Sequence, residues 1–144
     1  MSQPRVMLTR GAVADGRIQV TVTLADVADP LSALAMKFTY PSEFSRLVAC
    51  DNGDVFGSAA CIFSESDADR GLMYLGLTEL GGTGTTPPTS PVVLARLTFA
   101  VFDCGAGAIS IEGQNLGGSD GSALIGPANN VVIADWYGGV LSGG

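Results

Sequence analysis

A chain of 144 residues, 47% hydrophobic and only 15% charged, suits one well-cored domain and is too apolar for a disordered segment. Its 7 basic and 14 acidic residues leave a net charge of −7, which excludes the cationic face that nucleic acid or an anionic membrane surface needs. Histidine is absent, so Ser-His-Asp and Cys-His catalysis and His-ligated metal sites are excluded, and Lys37 is the only lysine for Schiff-base or Ser-Lys chemistry.

In chain order, Arg5–Thr9 reads as a short extended segment closed by Arg10-Gly11 and Asp15-Gly16. Ile18, Val20, Val22 and Leu24 then alternate with polar residues, the period of a half-buried strand. Leu34, Met36, Phe38 and Tyr40 repeat that pattern with their side chains inward, leaving Ala33, Ala35, Lys37 and Thr39 outward. A helix over Leu31–Phe38 is the competing reading, because Ala, Leu, Met and Lys favour helices, and Pro41 ends either element. Phe44, Leu47 and Val48 feed a strand near Arg46–Cys50, and Asp51-Asn52-Gly53-Asp54 reads as a loop.

Ala60–Glu65 and Leu72–Thr78 read as a hairpin around the polar turn Asp67–Gly71. Gly81–Pro91 has no core-forming residue. Val92–Phe102 is strongly β, with Val93, Ala95, Leu97, Phe99 and Val101 on one face, and suits a central strand. Cys104-Gly105-Ala106-Gly107 reads as a turn, Ile109 and Ile111 as a further strand, and Asn115–Asn130 as a Gly/Ser/Asn-rich loop. Val131–Leu141 closes the domain, with Gly138-Gly139 marking a bulge or a close backbone approach. Eight or nine short strands without a β-α rhythm predict an all-β sandwich, a single domain over residues 1–144.

The candidate chemistry is sparse. Cys50, Cys61 and Cys104 read as buried thiols acting as small hydrophobes, with a Cys50–Cys61 bridge as the alternative. Asp51–Asp54 is oxygen-rich but lacks the spacing and terminal Glu of an EF-hand and reads as an Asx-rich turn. Ser64–Asp69 offers carboxylates for a calcium or glycosidase cluster but shows no spacing across a cleft and reads as a solvated hairpin tip. Trp136-Tyr137 offers a meagre sugar-stacking platform and reads better as a core or rim pair. Lys37 reads equally as a partner-facing cation or an ordinary strand lysine. No charged-then-apolar leader and no apolar run near ~20 residues is present, and Met1–Pro4 reads as a processed or artificial start of a segment from a larger secreted chain.

The order of these features resembles a cohesin domain, the module that receives dockerins in cellulosome scaffoldins and related non-cellulosomal proteins. The resemblance rests on the strand before a Phe38-x-Tyr40-Pro41 corner, on Asp51–Phe56, and on the hairpin strand Asp69–Glu79. It continues through the long strand Val92–Val101 and the closing Gly138–Ser142, spanning about Val6 to Ser142. It implies a nine-stranded β-sandwich of jelly-roll topology and a non-catalytic binding module, not an enzyme, without cofactor. The implied partner is a dockerin that carries its own calcium, borne by a polysaccharide-degrading enzyme and docked on one flat sheet face. The implied location is extracellular or at the cell surface, with no membrane insertion and no nucleic acid.

Carried onto this chain, the docking residues are Ala33, Ala35, Lys37 and Thr39, Tyr74 and Gly76 on the neighbouring strand, the acidic Glu79, and Gln114, Asn115 and Leu116. Where the family often has Asn and Asp, this chain has Ala33 and Ala35, which removes two hydrogen-bonding side chains and leaves a more apolar patch. A carbohydrate-binding module and a structural spacer of a surface protein are the alternatives.

Overall fold

The computed structural model describes residues 4–26, 30–53, 60–67, 71–78, 91–116, 121–126 and 130–143. Among them the strands are β1 (Arg5–Ala14), β2 (Arg17–Ala25), β3 (Ala33–Thr39), β4 (Ser45–Asn52), β5 (Ala60–Asp67) and β6 (Leu72–Thr78). There follow β7 (Val92–Val101), β8 (Gly105–Glu112), β9 (Ala123–Ile125), β10 (Val131–Val132), β11 (Asp135–Tyr137) and β12 (Gly139–Gly143). One sheet has the order β11-β1-β2-β7-β4. The other has the order β10-β9-β3-β6-β5, with β8 also pairing β3 and β12 pairing β8. No described residue is helical, so the chain is an all-β sandwich of two sheets, and in place of the competing helix over Leu31–Phe38 the chain forms the strand Ala33–Thr39.

Alternation builds the core. Ile18, Val20, Val22 and Leu24 of β2 face Leu34, Met36 and Phe38 of β3 and Met73, Leu75 and Leu77 of β6 in one buried cluster. Strict period two works here because each strand has one apolar and one wet face. Tyr40 lies in the same cluster, its ring 5.4 Å from Phe99 and 6.4 Å from Phe38.

Several boundaries differ from the sequence reading. In β7 the register slips beside Leu94, so Val92 rather than Val93 pairs with the buried Leu24 and packs on the core, and Leu94 is itself buried. A second slip in β4 turns Val48 out to solvent. β1 runs past Thr9 to Ala14 through an irregularity at Arg10/Val13. Asp51 and Asn52 extend β4 by pairing with Arg96 and Ala95, and β5 continues past Glu65 to Asp67. Of the stretch read as a turn at Cys104–Gly107, the residues from Gly105 on are the start of β8, paired with β12. Its glycines serve packing: a Cβ at Gly105 would lie 2.5 Å from the Phe44 ring, and one at Gly107 2.7 Å from Pro41. Within the supposed loop Asn115–Asn130, Ala123–Ile125 forms β9 against β3. The reading of Gly138 as a close approach holds, since a Cβ there would strike the Ile109 carbonyl.

The cysteines are not three buried thiols. Cys50 pairs with the buried Leu97 and Cys61 with the buried Leu77, so both point into the sandwich from the outermost strands of opposite sheets. They meet as a disulfide with Cα atoms 5.7 Å apart, while Cys104 is free and exposed. The bridge closes a loop of sequence separation 11. Restricting the unfolded chain over a loop of that size stabilises the fold by about 3 kcal/mol. Four residues further along β5, Arg46 Nη1 binds Glu65 at 2.8 Å and 3.0 Å across the same edge.

Candidate partner-binding face

The outer face of the seven-stranded sheet is built around β3. Because β3 has the burial pattern of a strict alternation, Ala33, Ala35, Lys37 and Thr39 all point away from the core, as the sequence predicts. Cross-strand register sets their neighbours. Ala35 lies between Gly76 of β6 and Ala123 of β9, and Gly76 lies beside Ile62 of β5. One level along, Lys37 lies between Tyr74 and Glu112, and Tyr74 lies beside Ser64. Thr39 pairs with Ser110 and Ala33 with Thr78.

The two levels differ in height. A Cβ at Gly76 would meet nothing within 4 Å, so the Ala35–Gly76 level is shallow and open. Ile62, 70% exposed, stands at its outer end. At the next level, Lys37 Nζ lies 5.5 Å from the centroid of the Tyr74 ring, a cation–π contact that fixes the ammonium over the sheet. Lys37 is thereby more than a free strand lysine. Among the described residues it is also the only basic side chain on this sheet, since Arg5, Arg10, Arg17, Arg46 and Arg96 all belong to the other one.

Ser122 holds the centre of this face together. The outer edge of β3 changes neighbour between Ala35, paired with β9, and Lys37, paired with β8. At that joint the Lys37 N–H donates to Ser122 Oγ at 2.8 Å. The hydroxyl in turn donates toward the carbonyls of Glu112 at 3.0 Å and Lys37 at 3.2 Å. Ser122 is fully buried, so these bonds replace the ladder bonds that a continuous neighbour would make.

The residues at the end of β8 behave differently from one another. Asn115 works inward: its Oδ1 accepts from Ala134 N at 3.0 Å and Trp136 Nε1 at 3.1 Å, and its Nδ2 donates to Ala134 O at 3.0 Å. Its φ of 64° is a left-handed conformation that Asn tolerates better than most residues. Gln114 is exposed, bridges to Ser122, and donates to Trp136 O at 3.4 Å. Leu116 is exposed, and Glu79 lies outside the described residues. Trp136 is buried while Tyr137 is exposed, so the pair divides between core and surface.

Sequence reasoning missed Ile62 and Ser122. Ile62 was readable, because Cys61 and Phe63 pack inward and leave it the opposite face. Ser122 carried no local signal, since its role exists only where three strands converge. Among the described residues no group of three or more His, Cys, Asp or Glu could hold a metal ion, and no helix is long and apolar enough to cross a membrane.

The cohesin domain family model matches residues 8–134. Among solved structures, a chain of a type I cohesin–dockerin complex from Clostridium thermocellum superposes with a TM-score of 0.74 at 16% identity, covering 98% of this chain and 99% of that one. A non-cellulosomal cohesin from the archaeon Archaeoglobus fulgidus gives 0.71 at 14% identity, over 98% of this chain and 91% of that one. A type II cohesin from the cellulosome of Acetivibrio cellulolyticus gives 0.67 at 12% identity, over 96% and 94%. Among curated proteins, none matches the chain by sequence.

Proposed function

This chain belongs to the cohesin domain family, and from that premise we propose that it is a non-catalytic docking module that binds a dockerin on the outer face of β8, β3, β6 and β5. The observation that carries this reading is the open level at Ala35 and Gly76 beside the fixed Lys37–Tyr74 pair. A sheet surface of small side chains lets a helix lie close, and a few anchors at its margins supply most of the binding energy. Ala33, Ala35, Lys37, Thr39, Tyr74 and Gly76 form the centre of the docking site. Glu79, Gln114 and Leu116 belong to its margin, with Asn115 shaping the margin from beneath. The calcium resides in the dockerin, and the bearers of the dockerin are polysaccharide-degrading enzymes.

In this reading the nine strands of a jelly roll are β1–β8 and β12, and the two- and three-residue segments β9, β10 and β11 are additions to them. The disulfide supports an extracellular or cell-surface home for the parent protein, because such bonds persist in oxidising surroundings.

Calorimetric titration with the dockerin domains encoded in the same genome tests the reading. At least one binds, and Ala35→Trp, which fills the open level, weakens it by at least about thirtyfold. Absence of binding by every such dockerin overturns the proposal.

A further inference from the structure

Among the described residues Lys37 is the one cation of the proposed docking sheet, and it is held at both ends. At its base, Ser122 Oγ accepts from the Lys37 N–H at 2.8 Å and lies 3.2 Å from the Lys37 carbonyl. At its tip, Nζ sits 5.5 Å from the centroid of the Tyr74 ring. Tyr74 is the register partner on β6, so the ammonium leans to the β6 side of β3. Glu112 lies directly across on the β8 side. Among the described residues, neither Glu112 nor any other carboxylate is ion-paired with Lys37. The ring face attracts the positive charge but takes up no N–H in a strong hydrogen bond, so the three donors of the ammonium remain for an acceptor from outside the chain. A lysine held at both ends also has less rotamer freedom to lose on binding than a free one.

We propose that Lys37 is the residue by which this face selects its partner, and that it takes a carboxylate of the docked helix, seated on the β6 side of β3. Carboxylate and ammonium form a charge-assisted hydrogen bond, about twice as strong as a neutral one. The surroundings make the place of that carboxylate matter. A net charge of −7 disfavours an acidic partner surface in general. Glu112 repels a carboxylate on the β8 side of Lys37. Among the described residues of this sheet, only the Lys37–Tyr74 pair offers a fixed cation. A partner whose acidic residue falls elsewhere on the sheet leaves it unpaired against like charge. The pairing therefore decides where a helix lies along β3 as well as which helix is accepted. This inference rests on the docking reading above and adds to it the charge of the partner's contact residue.

The test uses the whole chain and those dockerins of the same genome that bind it in calorimetric titration. Lys37→Met keeps the length of the stem and removes the charge, and it weakens binding by about tenfold or more. Lys37→Arg keeps both the charge and the ring contact and stays within about threefold of wild type. Urea unfolding of Lys37→Met, expected at the wild-type midpoint, keeps a loss of fold from passing as a loss of binding. Each Asp and Glu on the dockerin helices, outside the calcium loops, is then changed to Asn or Gln. One of these changes costs about tenfold against wild type and nothing further against Lys37→Met, the signature of a direct pair. Binding that Lys37→Met leaves unchanged overturns the proposal, and so does a loss that couples to no carboxylate of the dockerin; in both cases the docking reading stands. If no dockerin binds wild type, that reading falls and this one falls with it.

Discussion

The two outward faces of this sandwich come from strands with the same inside-outside rhythm, yet their surface chemistry is opposed. On the five-stranded sheet one cross-strand level runs Thr9–Thr21–Arg96–Asp51, and another runs Arg17–Ala100–Arg46. Long charged side chains there remain hydrated and hold a neighbouring backbone at a distance. On the seven-stranded sheet the comparable levels are Ala35–Gly76–Ile62 and Glu112–Lys37–Tyr74–Ser64. Little side chain rises above the first of these, and the charge of the second is steadied by an aromatic ring. An inward pattern therefore specifies the fold for both sheets, while the identity of the outward residues separates a charged, solvated face from a shallow one.

Changes that strike the shared interior break both faces at once. Phe99→Ala empties the fully buried site against Tyr40 and costs about 3–5 kcal/mol by urea unfolding; a loss below about 1 kcal/mol would mean that the two sheets do not share one core. Ser122→Ala acts on one face only. It leaves the Lys37 N–H and the Glu112 carbonyl without their hydroxyl partner and costs about 1–3 kcal/mol. Hydrogen exchange should quicken at Lys37 and leave β2 and β7 unchanged.

The edge between the faces gives smaller effects. Burial first, and then the Glu65 carboxylate, raise the Tyr40 phenol above its ordinary 10.0. A raised value means that the folded chain holds this proton after the unfolded chain has lost it. The contribution is complete below 10.0 and is lost as pH climbs through the higher folded value. Urea unfolding of wild type against Tyr40→Phe as pH rises from 10.0 toward the folded value checks the sign: wild type loses stability more steeply than the variant. Arg46→Ala removes an ion pair whose partners are 43% and 26% exposed. Screening by water limits the loss to about 0–1 kcal/mol, and a larger loss would show that the salt bridge carries the edge in place of the disulfide.

How much was legible varied with the local signal. β2 and β3 were readable because four apolar residues in strict alternation leave one consistent strand register. The start of β8 was not, because Gly105 and Gly107 look like turn residues until Phe44 and Pro41 are seen pressing on them. β9 was hidden in a Gly/Ser/Asn-rich stretch, since its three residues become a strand only by completing the edge of β3. Of the proposed docking residues, the outward position of Ala33, Ala35, Lys37 and Thr39 followed from parity alone. The inward role of Asn115 did not, because its partners are 19 and 21 residues away.

The order of residues by itself settled that this is a β protein with one core, without histidine chemistry, and with a small-residue outward row on β3. Composition and period two are local properties, and each strand states its own inner face. Only the folded chain decided that Cys50 meets Cys61, that Ser122 repairs the joint beside Lys37, and that Ile62 stands at the end of the open level. Those facts depend on which strands become neighbours, and pairing between distant segments is chosen by the packing of the whole core rather than by any segment alone.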